Sequence, residues 1–362
     1  MKLQRLGLKN YRNCEAISLK FSKQKTLIIG KNAQGKTNIL ESIYLLSDIK
    51  SPRTSTMADL IQFGKFQFEI NADIEKNNTR IELDIVYNQE KKRELKINKV
   101  KTSTRDFRLA VKTVLFSTKD LLLLRGTPQD RRDWLDRAIS QIYSAYDERL
   151  SKYEKIRIQK NNLLKSEFID EALLDIYNEQ IVITGANIIF LRKKFLKEIE
   201  KLASEKHKVI SDTEEFTLDY TCPKDEIEEI SEYLKQELIK HRSEEFGRRQ
   251  SCVGPHRDDI EFKINGIDAV KFASQGQQRT LVLALKLGEL EIIKTKTGYS
   301  PILLLDDVLA ELDETRQNFL LKSIESDTQT IITSVDTILF EEDFLKDVQI
   351  YTIENGALKL AQ

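Results

Sequence analysis

Hydrophobic positions along the chain follow two rhythms. Near the N-terminus Ile17, Leu19 and Phe21 alternate with polar residues, the period of a strand with one buried face. Leu27-Ile28-Ile29 is an unbroken apolar run that predicts a buried strand, and Asn38 to Leu46 predicts a helix. After the Pro/Ser-rich turn Ser51-Pro52-Arg53-Thr54-Ser55 a meander begins. Phe66, Phe68, Ile70, Ala72 and Ile74 alternate, Asn77-Asn78 turns, Ile81, Leu83, Ile85 and Tyr87 alternate back, and Leu95 and Ile97 supply a third strand. From about Asp120 the period changes to three and four. Leu135, Ile139, Ile142, Tyr146, Leu150 and Tyr153 form one helical stripe that Asn161-Asn162 interrupts. A second helical pattern runs from about Asp170 to Ser204, with Gly185 as a candidate bend, and further helix extends to Glu245. Near Ser251 strands return: Ile260, Phe262 and Ile264 alternate before an Asn265-Gly266 hairpin turn. Ala273 to Leu290 is an apolar helix, Ile302–Leu305 and Thr330–Thr333 are buried strands, and Val348 to Leu360 is a closing hairpin around Asn355-Gly356. The pattern predicts an α/β head made of residues 1–120 and 250–362, with a mixed sheet and an antiparallel meander. A mostly helical second lobe, residues 121–249, is inserted into it.

Composition narrows the function classes. The 362 residues allow about two domains. Charged residues make up 32%, which suits long solvated helices. Lys plus Arg (58) equals Asp plus Glu (58), so net charge names no partner and any nucleic-acid surface must come from local asymmetry. Three cysteines without a Cys-x-x-Cys pair argue against a disulfide framework or a zinc site, and three histidines exclude a His-rich metal site. No signal-peptide core and no run of membrane-spanning length is present, so the expected location is cytoplasmic, with no membrane partner.

The chemistry concentrates in two places. Gly30-Lys31-Asn32-Ala33-Gln34-Gly35-Lys36-Thr37 fits the phosphate-loop pattern and lies between a predicted strand and a predicted helix, as that motif requires. The glycines let backbone N–H groups converge on an anion, and the new helix adds free donors and the positive end of its dipole. Lys36 is expected to neutralise the β- and γ-phosphates of ATP and Thr37 to place its hydroxyl on Mg²⁺. Ile302–Leu305 ends in Asp306-Asp307: Asp306 is expected to hold the Mg²⁺ shell opposite Thr37, and Asp307 to polarise the attacking water.

Ala273-Ser274-Gln275-Gly276-Gln277 is similar to the signature sequence of ABC-type ATPases, in which a Ser and a Gly at a helix start bind the γ-phosphate held by a second subunit. Taken alone it reads first as a Ser cap with Gln277 completing a capping box; placed after the phosphate loop and before Asp306-Asp307, in the order of the ABC class, it reads as the signature, and both roles are compatible. Leu309-Ala310-Glu311-Leu312-Asp313 resembles the D-loop of that class, with Leu312 and Asp313 at the expected interface. That class usually has a His after the next strand; here stands Thr333-Ser334-Val335-Asp336. Asp307 also stands where a Glu is usual. Both departures point to a slow ATP-dependent switch.

Three further stretches resemble the RecF family: Leu8-Lys9-Asn10-Tyr11-Arg12-Asn13; Phe116 to Leu121 running into Gly126 to Asp136; and Val253-Gly254-Pro255-His256-Arg257-Asp258-Asp259. The resemblance covers nearly the whole chain. It implies an ABC/SMC-like P-loop ATPase head with a short helical lobe, ATP-dependent homodimerisation on DNA, and weak DNA-dependent ATPase activity. It also implies work with RecR and RecO to load RecA at single-strand gaps in recombinational repair, the SOS response and replication restart. Expected DNA ligands include single and double strands and gap junctions. Other readings are a transporter-type nucleotide-binding subunit, an SMC-like structural clamp, and a module that holds ATP only as a ligand.

A DNA surface can be sought in the residues themselves. Between Lys91 and Lys112, Lys91, Lys92, Arg93, Lys96, Lys99, Lys101, Arg105, Arg108 and Lys112 oppose Glu94 and Asp106, a net +7 over 22 residues. Such density suits phosphate contacts, and it also suits a solvated hairpin whose lysines keep an edge from pairing. Arg192, Lys193, Lys194, Lys197 and Lys201 form a rival patch. Arg12 is a candidate to approach the nucleotide, His256 reads as structural in preference to a general base, and Trp134 and Tyr143 read as core.

Overall fold

The computed structural model describes residues 1–211 and 213–361. The chain opens with the hairpin β1 (Lys2–Tyr11) and β2 (Cys14–Lys20), then β3 (Lys25–Ile29), α1 (Lys36–Asp48) and the meander β4 (Gln67–Lys76), β5 (Thr79–Asn88), β6 (Lys92–Ile97) and β7 (Val100–Lys101). Next come α2 (Thr104–Ala110) and β8 (Thr113–Ser117). The helical stretch holds α3 (Pro128–Ile142), α4 (Tyr146–Leu164), α5 (Glu171–Ile210), β9 (Phe216–Tyr220), α6 (Ile227–Lys240) and α7 (Arg242–Arg248). It continues into β10 (Ile260–Ile264), β11 (Ile267–Asp268), α8 (Ala269–Phe272) and α9 (Gln275–Thr297). The chain closes with β12 (Ile302–Asp306), α10 (Glu314–Ser323), β13 (Thr330–Ser334), α11 (Glu342–Lys346), β14 (Val348–Glu354) and β15 (Ala357–Leu360).

By packing, the chain divides into two compact units, one of Met1–Leu121 with the residues from Lys286 onward, the other Leu122–Leu285. Residues 250–285, assigned to the head by the periodicity, fall in the second unit. The reason is β9, a strand the helical pattern hid: β10 pairs antiparallel with it from Ile260↔Tyr220 to Ile264↔Phe216. The second division falls within α9.

In the first unit the strands sort into two sheets. One is wholly antiparallel, in the order β2-β1-β4-β5-β6-β7; the other runs β15-β14-β3-β13-β12-β8, parallel except for the β15 edge. The meander is thus a separate sheet. Two of its turns are the two-residue kind that need positive φ twice, at Asn77 (51°) and Asn78 (59°) and at Asn98 (49°) and Lys99 (66°). β12 and β13 are apolar runs without alternation because a parallel sheet is covered on both faces. α1 supplies much of that cover. Ile39, Leu40, Ile43, Leu45 and Leu46 are fully buried, in one core with Leu6, Phe68 and Ile70 of the antiparallel sheet and Ile302, Leu304 and Ile331 of the parallel one. Each such side chain contributes about 1.5–3 kcal/mol.

In the second unit the expected single stripe from Leu135 to Tyr153 is two helices. α3 starts on a Thr127/Asp130 capping box with Pro128 in its first turn and stops before Tyr143, which is half-buried in the break. Asn161 and Asn162 do not interrupt α4, and Asn161 Oδ1 instead accepts from Ser251 N at 2.7 Å. α5 is a 40-residue helix, about 60 Å long, that continues through Gly185. A Cβ there would lie 3.2 Å from Pro255 Cδ, so Gly185 serves close packing where a bend was expected.

Candidate nucleotide-binding site

The phosphate loop connects β3 to α1 at the C-terminal edge of the parallel sheet. Its two glycines answer different constraints. A Cβ on Gly30 would sit 2.5 Å from Ile353 O; Gly35 has φ +112°, and a Cβ there would sit 2.8 Å from Asn13 Oδ1. Lys31, Asn32 and Ala33 form the exposed lip, Ala33 at φ 65°. Gln34 is clamped from two distant parts of the chain. Asn13 Nδ2 donates to Gln34 O at 3.1 Å, Gly356 N donates to the same oxygen at 3.1 Å, and Asn355 N donates to Gln34 Oε1. Asn38 Nδ2 donates in turn to Asn13 Oδ1 at 2.8 Å. Asn13 lies in one of the RecF-like stretches and Asn355-Gly356 in the closing hairpin turn; neither carries a local sequence signal of a role at the loop.

Lys36 and Thr37 open α1. Lys36 Nζ arches back to donate to Gly30 O at 2.7 Å, and lies 3.7 Å from the Asp307 carboxylate. Thr37 Oγ1 donates to Asp306 Oδ1 at 2.9 Å, and Thr333 Oγ1 donates to the same oxygen at 3.0 Å. Burial pushes the Asp306 carboxyl above its ordinary value, and the two hydroxyls pull part of that back. Asp307 N donates to Thr333 Oγ1 at 2.9 Å, and Asp307 itself sits in the left-handed region at φ 51°. That backbone state costs on the order of 1–3 kcal/mol in a non-glycine residue and is concentrated at functional sites. Thr333, at the place of the missing His, thus ties together the two aspartates.

Thr37 and Asp306 offer two hard oxygen donors side by side. That set fits Mg²⁺, which takes one or two protein ligands and fills its octahedron with phosphate and water. Among the described residues no group of three or more His, Cys, Asp or Glu is arranged to hold a metal by itself.

Arg12 is committed to α1. Its fork is bidentate on Glu41, with Nε–Oε2 3.0 Å and Nη2–Oε1 2.7 Å. Ser51 Oγ donates to Glu41 at 2.5 Å, and Arg53 bonds both Glu41 (3.4 Å) and Asn38 Oδ1 (2.6 Å). Burial alone would raise Glu41, but the hydrogen bonds of Arg12 and Ser51 and the two positive charges hold its carboxyl below the ordinary value. After Asp307, Leu312 is buried and Asp313 caps α10, accepting from Arg316 N at 3.0 Å. Gln317 Nε2 fastens the segment through Leu309 O (2.7 Å) and Leu312 O (2.9 Å).

In the second unit Ser274 and Gln277 form the reciprocal capping box. Gln277 N donates to Ser274 Oγ at 3.2 Å and Ser274 N donates to Gln277 Oε1 at 2.8 Å. Ser274 and Gln275 are exposed and Gly276 is half-buried, so the start of α9 is open to solvent. His256 is structural here. Its Nε2 donates to Ser251 O at 3.2 Å and its Nδ1 takes the Tyr153 hydroxyl at 2.5 Å, while burial pushes its pKa down to about 3.

The basic stretch divides. Lys91, Lys92, Arg93, Lys99, Lys101 and Arg105 are exposed and Lys96 is half-buried beside Glu94 at 3.1 Å. Arg108 turns inward to Asp48, and Lys112 is buried with its ammonium on Arg108 O at 3.0 Å, so neither contributes to the surface as expected. The rival patch loses its first member: Arg192 is buried, bidentate on Asp136 at 2.9 Å and 2.9 Å. Lys193 and Lys197 are both drawn to Asp225. Trp134 is buried as expected, against Phe195 and Phe262.

The model of the RecF/RecN/SMC N terminal domain matches residues 2–359. DNA replication and repair protein RecF of Natranaerobius thermophilus is 41% identical over 99% of this chain and 98% of its own length. The chain belongs to the RecF family. Among solved structures, the recombination mediator protein RecF with ATP, of the RecFOR pathway, superposes with a TM-score of 0.91 at 34% identity, covering 99% of this chain and 97% of that one. An SMC head bound to the C-winged helix domain of ScpA matches at TM-score 0.58 and 15% identity, which shows a shared ABC/SMC-like head fold. No helix among the described residues is long and apolar enough to cross a membrane.

Proposed function

We propose that this RecF-family protein is a slow ATP-driven switch on DNA. ATP lies in the phosphate loop with Lys36 against its phosphates. Thr37 and Asp306 would hold Mg²⁺, which when bound would supply charge neutralisation for the transferred phosphoryl group. Asp307 orients the attacking water, and Thr333 keeps both aspartates in place. Two copies close face to face, each lending Ser274 and Gly276 to the other's ATP, with Leu312 and Asp313 at the junction; hydrolysis releases them. The exposed lysines and arginines from Lys91 to Arg105 contact the DNA backbone. In the cell the switch works with RecR and RecO to place RecA at gaps, as the relatives' RecFOR assignment and the family resemblance support. A RecF relative solved with ATP, over nearly the same length, supports the nucleotide. Family membership sets aside the transporter reading.

The observation that carries this reading is the convergence of Thr37 and Thr333 on Asp306 with Lys36 beside Asp307. Steady-state ATP turnover with and without duplex DNA tests it, wild type against Asp307→Asn. The expected outcome is slow, DNA-stimulated turnover that falls at least 100-fold in the variant, with ATP binding retained. A wild type that never hydrolyses ATP, even on DNA, would reduce the nucleotide to a ligand.

A further inference from the structure

The second unit encloses a polar cavity of about 510 Å³, the size of a small-molecule site. Three helices and a turn build it, α5 through Arg192. α3 presents Arg132, Asp133 and Asp136, α4 presents Tyr153, Glu154 and Arg157 on a helical face, and the turn 254–257 brings His256 and Arg257. Nothing in the ATP-dependent switch uses this place.

Its charges are unequally spent. Four guanidiniums, those of Arg132, Arg157, Arg192 and Arg257, line it against three carboxylates. Arg192 is consumed by Asp136, Tyr220 Oη (3.0 Å) and Pro255 O (2.6 Å), and Arg157 by Glu154 at 2.7 Å. The Asp133 carboxylate accepts from Gln129 Nε2 at 2.6 Å. Two guanidiniums are left without a carboxylate partner among the described residues. Arg132, buried, bonds only neutral oxygens, Asp258 O (2.6 Å) and Gln129 Oε1 (2.8 Å); Arg257, exposed at the rim, bonds Ser251 O (3.2 Å). Neither bond set exhausts its five donors. His256 adds no charge, since its two nitrogens are fixed between Tyr153 and Ser251. A buried arginine whose guanidinium hydrogen-bonds no carboxylate, with Asp259 and Asp133 acting on it only through space, and a second arginine at the mouth call for an anion of fork-like geometry, and phosphate is a group that guanidinium pairs match.

We propose that this cavity binds a phosphomonoester on a body of nucleotide size, with Arg132 as the inner and Arg257 as the outer phosphate ligand. Free nucleotides and phosphorylated strand ends both carry that group. The test is equilibrium dialysis of labelled AMP and inorganic phosphate against the full chain carrying Lys36→Ala, which removes the phosphate loop as a competitor. One AMP per chain is expected, weakened roughly tenfold or more by Arg132→Gln and by Arg257→Gln and unchanged by Lys197→Gln. Arg257 is exposed, so its variant stays informative if Arg132→Gln fails to fold. Trinucleotides with and without a 5′-phosphate separate the sources: tighter binding of AMP assigns a free nucleotide, and tighter binding of the phosphorylated trinucleotide assigns a strand end. Absence of stoichiometric binding overturns the proposal, as does binding that neither arginine affects, or capture of an acidic peptide in preference to phosphate. ATP-driven self-association of the wild type is read separately, so the two proposals fail independently.

Discussion

Asp306 Oδ1 receives two hydroxyls, one from the helix after the phosphate loop and one from the neighbouring strand. The first was legible in the sequence, because the loop motif specifies a Thr and the apolar strand ends in Asp. The second was not: Thr333 was visible only as a departure from the usual His, and its contact depends on the parallel register Asp306↔Thr333. Partners that orient a metal-holding carboxylate affect activity by about 10–100-fold. Thr333→Val should therefore lower ATP turnover by about that factor and raise the Mg²⁺ concentration for half-maximal rate, with circular dichroism unchanged. An unaltered Mg²⁺ dependence would remove Thr333 from the site. Asn13 and Gly356 were missed for the same reason as Thr333, since they meet Gln34 from far along the chain.

At the scale of elements, periodicity located most of the longer strands and helices, gave no signal for α2, β8, β9, α8, α10 or α11, and failed where two patterns abut. The break between α3 and α4 lay inside a continuous stripe, and β9 lay among helices. α1 shows how an element is held beyond its apolar face. Glu41 is buried beneath Arg12, Arg53 and Ser51, with its folded-state pKa below the ordinary 4.5. A carboxyl depressed by folding stabilises above its unfolded pKa and loses that contribution as pH falls through the folded value. Wild-type stability, followed by urea denaturation, should therefore drop as pH falls below about 4.5, and Glu41→Gln should lack that component. In the second unit Lys160 Nζ, fully buried, meets Glu245 at 2.6 Å and joins α4 to α7. Lys160→Met strands a buried carboxylate and should cost about 3–5 kcal/mol in denaturant unfolding; adding Glu245→Leu should recover much of it. A double variant no more stable than the single would contradict the pairing.

For the whole molecule, a net charge of zero concealed a local basic face, and part of the pattern that suggested it is spent internally, at Arg108 and Lys112 and, in the rival patch, at Arg192. The lysines that stay exposed should set the salt dependence. Lys91→Gln with Lys92→Gln should weaken duplex binding for all sequences alike and flatten the slope of log affinity against log salt by nearly 2. An unchanged slope would move the DNA elsewhere. Both halves of the proposed ATP site were readable as motifs, yet they lie in different units of the chain, and in the proposal a second copy brings its nucleotide to the exposed start of α9. Sedimentation velocity with ATP tests that claim most directly. Wild type should pass from monomer to dimer on adding ATP, while Lys36→Ala and Ser274→Arg each stay monomeric and their equimolar mixture partly recovers the dimer through one intact composite site. A Ser274→Arg protein that dimerises with ATP as well as wild type would contradict the account.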